Sequence, residues 1–115
     1  MFNVRYVVLL ATNMERSIRF YRDIVGLQPI EMSEWWAEFD TGGARLALCP
    51  GEAATPKAGG AFVQLSCADL QVAVDALRER GAQVDEPAIE EGMEYPTARL
   101  YDPDGALLVL DGEGD

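Results

Sequence analysis

The sequence predicts an α+β protein built from two tandem βαβββ modules, curved mixed sheets around a concave trough with the helices outside. Three observations carry that prediction. The order of strand-like and helix-like periodicities runs twice along the chain, two helix caps recur at a fixed offset, and matching turns precede the last strand of each copy. A chain of 115 residues with 49% hydrophobic and 25% charged residues has apolar material for one compact domain of two half-size units. The expected organisation is a single domain over 1–115, with module 1 at about 1–55 and module 2 at about 60–115.

Residues 4–11 are β-branched and aliphatic and read as a buried strand. Thr12-Asn13 then offers a helix N-cap, and Met14, Ile18, Tyr21 and Val25 form one apolar stripe that Gly26 ends. Strand-like runs follow at 27–33, 35–41 and 44–49, with Thr41-Gly42-Gly43 as the turn between the last two. In the second copy Ala61–Cys67 is a strand, and Asp69 caps a helix with Leu70, Ala73, Val74 and Leu77 on one face, ended by Gly81. Strands are expected at 82–89, 95–102 and 106–111, with Asp102-Pro103-Asp104-Gly105 as a hairpin turn.

The repeat is checked by offset. Asn13 and Asp69 differ by 56, as do Tyr6 and Phe62; the final hairpins, Asp40–Leu48 and Asp102–Leu110, differ by 62. The second copy therefore carries about six extra residues between its helix and its last hairpin. Each module has one helix and cannot easily close a core alone, and two packed side by side leave an apolar trough of the kind that holds ligands.

Composition removes several function classes. The chain has no histidine, which excludes His-based acid–base chemistry, Ser-His-Asp or Cys-His nucleophiles, and every metal site that needs imidazole. Nine basic against 20 acidic residues give a net charge of -11, so the surface repels phosphate backbones and nucleic-acid binding is not expected. Cys49 and Cys67 have no metal spacing, sit in apolar runs and read as buried thiols. No apolar run approaches the ~20 residues of a membrane span. The segment from Met1 to Leu10 is interrupted by Arg5 and reads as a strand rather than a signal peptide, so a cytoplasmic location is expected.

The stretch from Tyr6 to Leu27, and within it Ser17-x-x-Phe20-Tyr21-x-x-x-x-Gly26-Leu27, resembles the vicinal oxygen chelate superfamily, the glyoxalase/bleomycin-resistance/dioxygenase fold. Asp69-Leu70, Arg80-Gly81-Ala82 and Asp102-Pro103-Asp104-Gly105 extend the resemblance over nearly the whole chain. It implies the fold firmly and the function weakly, because the fold hosts isomerases, dioxygenases, thiol transferases and binding proteins. Its enzymes hold a divalent metal with four inward-facing side chains. The matching positions here are Tyr6, Ala47, Phe62 and Val109, which offer no ligand set for a hard cation. The resemblance thus argues against metal-dependent glyoxalase or dioxygenase activity, and no metal or cofactor is expected.

If Tyr6 faces the trough, a period of two places Val8 and Leu10 there, then Phe62, Gln64 and Ser66, then Arg99, Tyr101, Leu107 and Val109, and in the first copy Arg45, Ala47 and Cys49. The candidate ligand-binding residues are Tyr6, Trp35, Trp36, Phe62, Gln64, Ser66, Arg99, Tyr101 and Val109. Tyr6, Phe62 and Val109 equally suit a role as core filling the former metal cavity. Of the two tryptophans, parity from Asp40 favours Trp35 with Ala37 and Phe39, whereas a bulge would select Trp36 with Glu38. A structural Trp is the competing role for either.

Charge separates the halves. Up to residue 58 there are six basic and seven acidic residues; from 59 onward there are three and thirteen. Asp85, Glu86, Glu90, Glu91 and Glu94 fall in a stretch without Lys or Arg, which either draws a cationic ligand to an aromatic trough or forms a solvated loop that aids solubility. The expected function is metal-free binding of a small aromatic ligand, neutral or cationic, as for antibiotic or metabolite sequestration, by a homodimer. The alternative is a metal-independent lyase or isomerase of the same superfamily, for which Glu38, Tyr101 and Cys49 are available but unpaired by spacing.

Overall fold

The computed structural model describes residues 4–51, 62–91 and 94–112. The chain divides into two compact units, Met1–Pro56 and Lys57–Asp115. No helix among the described residues is long and apolar enough to cross a membrane.

In the first unit, β1 (Tyr6–Ala11) leads through Asn13 into α1 (Met14–Arg19), which continues as a π-helical turn over Phe20–Val25. The Asn13 side chain accepts from the Arg16 amide at 3.0 Å, satisfying one of the helix's unpaired donors. Gly26, at φ 86°, ends the helix in the left-handed conformation that favours glycine. Strands β2 (Gln28–Met32), β3 (Ala37–Asp40) and β4 (Arg45–Pro50) follow. The sheet order is β1-β4-β3-β2, with β1 and β4 parallel and the other pairs antiparallel.

The core of this unit lies on the helix side of the sheet. Tyr21 and Phe39 are fully buried with ring centroids 6.2 Å apart, Phe20 meets Tyr21 edge-on at 5.0 Å, and Ala37, Leu46 and Leu48 are buried with them. The predicted stripe Met14–Ile18–Tyr21–Val25 is only partly the buried one. Ser17, Phe20 and Tyr21 are buried, while Met14, Ile18 and Val25 are half-buried. Ser17 is already the buried residue of the α-helical part, so the face is offset from the helix start. Beyond it, Gly26 follows Asn13 by one residue more than Gly81 follows Asp69, and the π turn absorbs the extra residue.

Ala37 and Phe39 face this core, which corrects the parity that grouped them with Trp35. Glu38 pairs with Ala47 across the β3–β4 ladder, and cross-strand partners share a face, so Glu38 lies on the side away from the helix. The third strand also starts later than 35. Ser33 ties up the preceding turn: its hydroxyl accepts from the amides of Trp35 (3.2 Å) and Trp36 (3.0 Å) and donates to the Trp36 carbonyl (3.1 Å). Trp35 is therefore a turn residue, 72% exposed.

The second unit contains β5 (Val63–Ser66), α2 (Leu70–Glu79), β6 (Thr97–Tyr101) and β7 (Leu107–Asp111), in sheet order β5-β7-β6. Strands β5 and β7 run parallel and β6 antiparallel to β7. Asp69 caps α2 by accepting from the Val72 amide at 3.1 Å, and Gly81 closes it at φ 97°. Leu70, Val74 and Leu77 of the helix are buried, as are Ala98, Leu100, Leu108 and Leu110 of the sheet. The buried Asp102 carboxylate accepts from the amides of Asp104 and Ala106, which shapes the hairpin before β7.

Two expectations for this unit change. Ala61, the proposed start of the fifth strand, lies outside the described residues. The strand expected at 82–89 is instead an irregular segment beside β6, joined by an isolated bridge between Ala88 and Thr97 and by the Asp85 amide donating to the Arg99 carbonyl. The Asp85–Arg99 and Ala88–Thr97 bonds are one residue out of step, so no continuous ladder forms across Glu86-Pro87.

Candidate functional site

The open face of the first sheet, opposite its helix, is assembled by register. Tyr6 lies across from Arg45 and Val8 from Ala47 in the parallel β1–β4 pair, and Ala47 is in turn opposite Glu38. Trp36, whose backbone closes the Ser33 turn, precedes Glu38 by two residues and joins the same face. The Tyr6 and Trp36 rings meet edge-on with centroids 5.3 Å apart. Val8 and Leu10 stand exposed on β1.

One carboxylate organises the polar atoms of this face. Glu38 is 4% exposed, and its Oε1 accepts from Trp36 Nε1–H at 2.8 Å and from the Tyr6 hydroxyl at 3.2 Å. Its Oε2 accepts from Arg45 NH1 at 2.8 Å, an ion pair in which the Arg45 side chain stays half-exposed. The Trp36 indole N–H, with Arg45 and Tyr6, holds the Glu38 carboxyl below the usual carboxylate range, outweighing the opposing effect of burial. Arg45 is held more firmly protonated, mainly by its hydrogen bond to Glu38. An ionised carboxylate with three donors is a poor proton acceptor, so Glu38 is set up to hold a charge in place rather than to act as a general base.

The second sheet presents its own face through its own register. Val109 sits between Gln64 and Arg99, and Leu107 lies opposite Tyr101. Gln64, Ser66, Arg99 and Tyr101 are exposed, as is Phe62 just before β5, whereas Val109 is buried. Arg99 reaches Glu90 at 4.0 Å, a loose pair. Gln64 Nε2 donates to Asp111 Oδ2 at 2.5 Å. Asp111 is a buried carboxylate that the sequence reading omitted, although the parity that selects Val109 selects Asp111 two residues later.

The structure thus brings Tyr6 and Trp36 together with Glu38 and Arg45, and places Phe62, Gln64, Ser66, Arg99, Tyr101 and Val109 along one face of the second sheet. Trp35 is held apart on its turn.

A family model, that of the Glyoxalase/Bleomycin resistance protein/Dioxygenase superfamily, matches residues 3–110. The chain belongs to that superfamily. Solved structures of similar fold include that of TnmS3, an antibiotic binding protein from Streptomyces sp. CB03234, at 22% identity, 96% coverage of this chain and 95% of that one, and TM-score 0.79. The protein SMU.1112c aligns at 20% identity over 96% and 98% of the two chains with TM-score 0.84. A lactoylglutathione lyase from Agrobacterium tumefaciens aligns at 16% over 94% and 91%, TM-score 0.71. At these identities the likeness is one of fold. No curated protein matches the sequence.

The superfamily's enzymes imply a divalent metal, and the residues of this chain do not fit one. At the positions that the resemblance matches to its metal ligands, Tyr6, Ala47, Phe62 and Val109 supply at most a phenol, already donating to Glu38. Among the described residues no three His, Cys, Asp or Glu side chains gather as a metal would need.

Proposed function

We propose that the protein binds a small, partly aromatic organic molecule without a metal, in the role of antibiotic or metabolite sequestration. The observation that carries this reading is the first face. An edge-on Tyr6–Trp36 pair stands beside exposed Val8 and Leu10, and the polar atoms of Tyr6 and Trp36 are spent on Glu38. Such a surface rewards a flat apolar ring and offers little to a hydrophilic one. On the second sheet Phe62, Gln64, Ser66, Arg99 and Tyr101 are exposed and offer stacking and hydrogen bonding of their own.

A cationic group on the ligand is a finer part of this reading, separable from the binding of its aromatic ring. Support comes from the net charge of -11 and the acidic segment from Asp85 to Glu94. Part of that segment is already neutralised, since Glu86 pairs with Arg78 at 2.8 Å and Glu90 with Arg99. The protein acts in the cytoplasm as a homodimer; Val4, Val7 and Ile30 are exposed apolar residues that a second copy would cover.

Tryptophan quenching across a panel of aromatic amines and their neutral analogues, followed by mass analysis of the recovered compound, tests the reading. Saturable quenching with unchanged ligand supports it, and a transformed compound or no binding overturns it. Elemental analysis after chelator-free purification adds a second arm: one tightly held Zn, Ni or Fe per chain would refute the metal-free assignment.

A further inference from the structure

We propose that Glu38, Tyr6 and Trp36 form a cation-accepting box whose occupant in the ligand-free chain is the protein's own Arg45, and that an aryl amidinium or aryl ammonium ligand binds by displacing it. The inference rests on the proposed ligand class and assigns it a site and a competitor.

The two oxygens of Glu38 have separate duties. Oε1 is taken by Trp36 and Tyr6, which fix the carboxylate from within the face. Oε2 faces Arg45, whose side chain is half-exposed while that of Glu38 is 6% exposed, so the guanidinium is the group between this carboxylate and water. A guanidinium held by a carboxylate whose other oxygen is bonded by the Tyr6 and Trp36 side chains sets a cation next to an aromatic pair, a combination that recognises organic cations. Here the cation is tethered.

The tether is weak and the fold does not require the pair. One partner of the ion pair is half-exposed, and pairs with a solvated partner contribute little net stability. In the second unit the position matching Arg45 is Leu107 and the one matching Glu38, across from Val109, is Arg99. That unit builds the same parallel and antiparallel ladders with no such pair. Arg45 opens β4 immediately after the Thr41–Ala44 turn, and its amide is bonded to the Arg5 carbonyl, so the backbone stays fixed while the side chain swings out. Solvation of the freed guanidinium offsets the loss, and the incoming flat cation gains ring contact with Trp36 and Tyr6 that the aliphatic arm of Arg45 does not supply.

The test uses benzamidinium and its neutral isostere benzamide at pH 7, in a Trp35→Phe background where Trp36 is the sole reporter. Arg45→Met should tighten benzamidinium about tenfold, the release of roughly one competing charge-assisted hydrogen bond, and leave benzamide unchanged. Glu38→Gln should abolish the preference for the cation. Because Arg45→Met leaves a buried carboxylate without its counter-ion, a second measurement uses Arg45 itself. In ¹⁵N-arginine spectra, saturating benzamidinium should move the Arg45 Nε–H resonance to that of a solvated arginine, and benzamide should not. Unchanged or weaker benzamidinium binding to Arg45→Met, or an unmoved Arg45 signal at saturation, overturns the displacement. Equal binding of both probes sinks this inference alone, leaving the aromatic-ligand reading standing; binding of neither sinks both.

Discussion

The two units share a helix-side core and differ in what they place on the open face. Phe39 and Leu100 occupy matching ladder positions, opposite Leu46 and Leu108, and all four are buried against a helix. On the other side, Tyr6, Arg45 and Glu38 are matched by Phe62, Leu107 and Arg99. Glu38 is buried with three donors, and Arg99 is exposed with one distant acid. The difference teaches which side of the sheet specifies the fold. Helix-side positions keep size and apolarity because cavities there are expensive, while the open face accepts opposite charges at one position.

That contrast can be broken most severely from the core. Phe39→Ala should cost about 3–5 kcal/mol, since it deletes a buried ring that contacts Tyr21, and Leu100→Ala about 2–5 kcal/mol; urea denaturation of each variant measures the two. The open faces should separate next. Glu38→Ala strands the Trp36 N–H, the Tyr6 hydroxyl and Arg45, and should lower the Tm by about 5–10 °C, whereas Arg99→Ala should leave it within roughly 2 °C. Thermal melts followed by circular dichroism would decide, and equal shifts would show that the polar network adds nothing.

Acid sensitivity sharpens the same comparison. The folded-state pKa of Glu38 lies below its unfolded value, so the unfolded chain binds more protons and the contribution is fully present above about pH 4.3. It is lost as pH falls from there through the folded value. Glu38→Gln should flatten the acid limb of a stability–pH profile, and Arg99→Gln should leave that limb as it is. The smallest expected effect is a similarity. Asn13→Ala and Asp69→Ala should each cost about 1 kcal/mol, because both caps accept from an amide three residues on at nearly equal distances.

Much of this architecture is legible in residue order. The caps Asn13 and Asp69, the closing Gly26 and Gly81 and the Asp102 hairpin are local devices, each written in a few residues. The second helix shows its buried face directly because Leu70, Val74 and Leu77 keep a regular spacing. What escapes is non-local. Glu38 belongs with Tyr6 and Arg45 only because of the β1–β4 and β3–β4 registers, and Trp36 rather than Trp35 joins them because Ser33 closes the intervening turn. The strand expected at 82–89 fails because its bonds to β6, from Asp85 to Arg99 and from Ala88 to Thr97, are one residue out of step, a register that only the partner strand reveals. Asp111 escapes because its burial and its bond from Gln64 depend on the β5–β7 register, which residue order does not show.

The π turn at Phe20–Val25 has a consequence for how far the two copies can differ in length. Two copies of one unit that diverge freely will gain and lose single residues, and a helix is the element least able to absorb one without rotating everything downstream. Here the odd residue is swallowed within one wide turn, so Tyr21 still reaches Phe39 and Gly26 still closes the helix. The first helix therefore carries one residue more between its cap and its closing glycine than the second, within a single wide turn. Removing one residue between Arg19 and Ile24 would restore an ordinary helix of the length found in the second copy, making the two halves of the protein more alike than they are now.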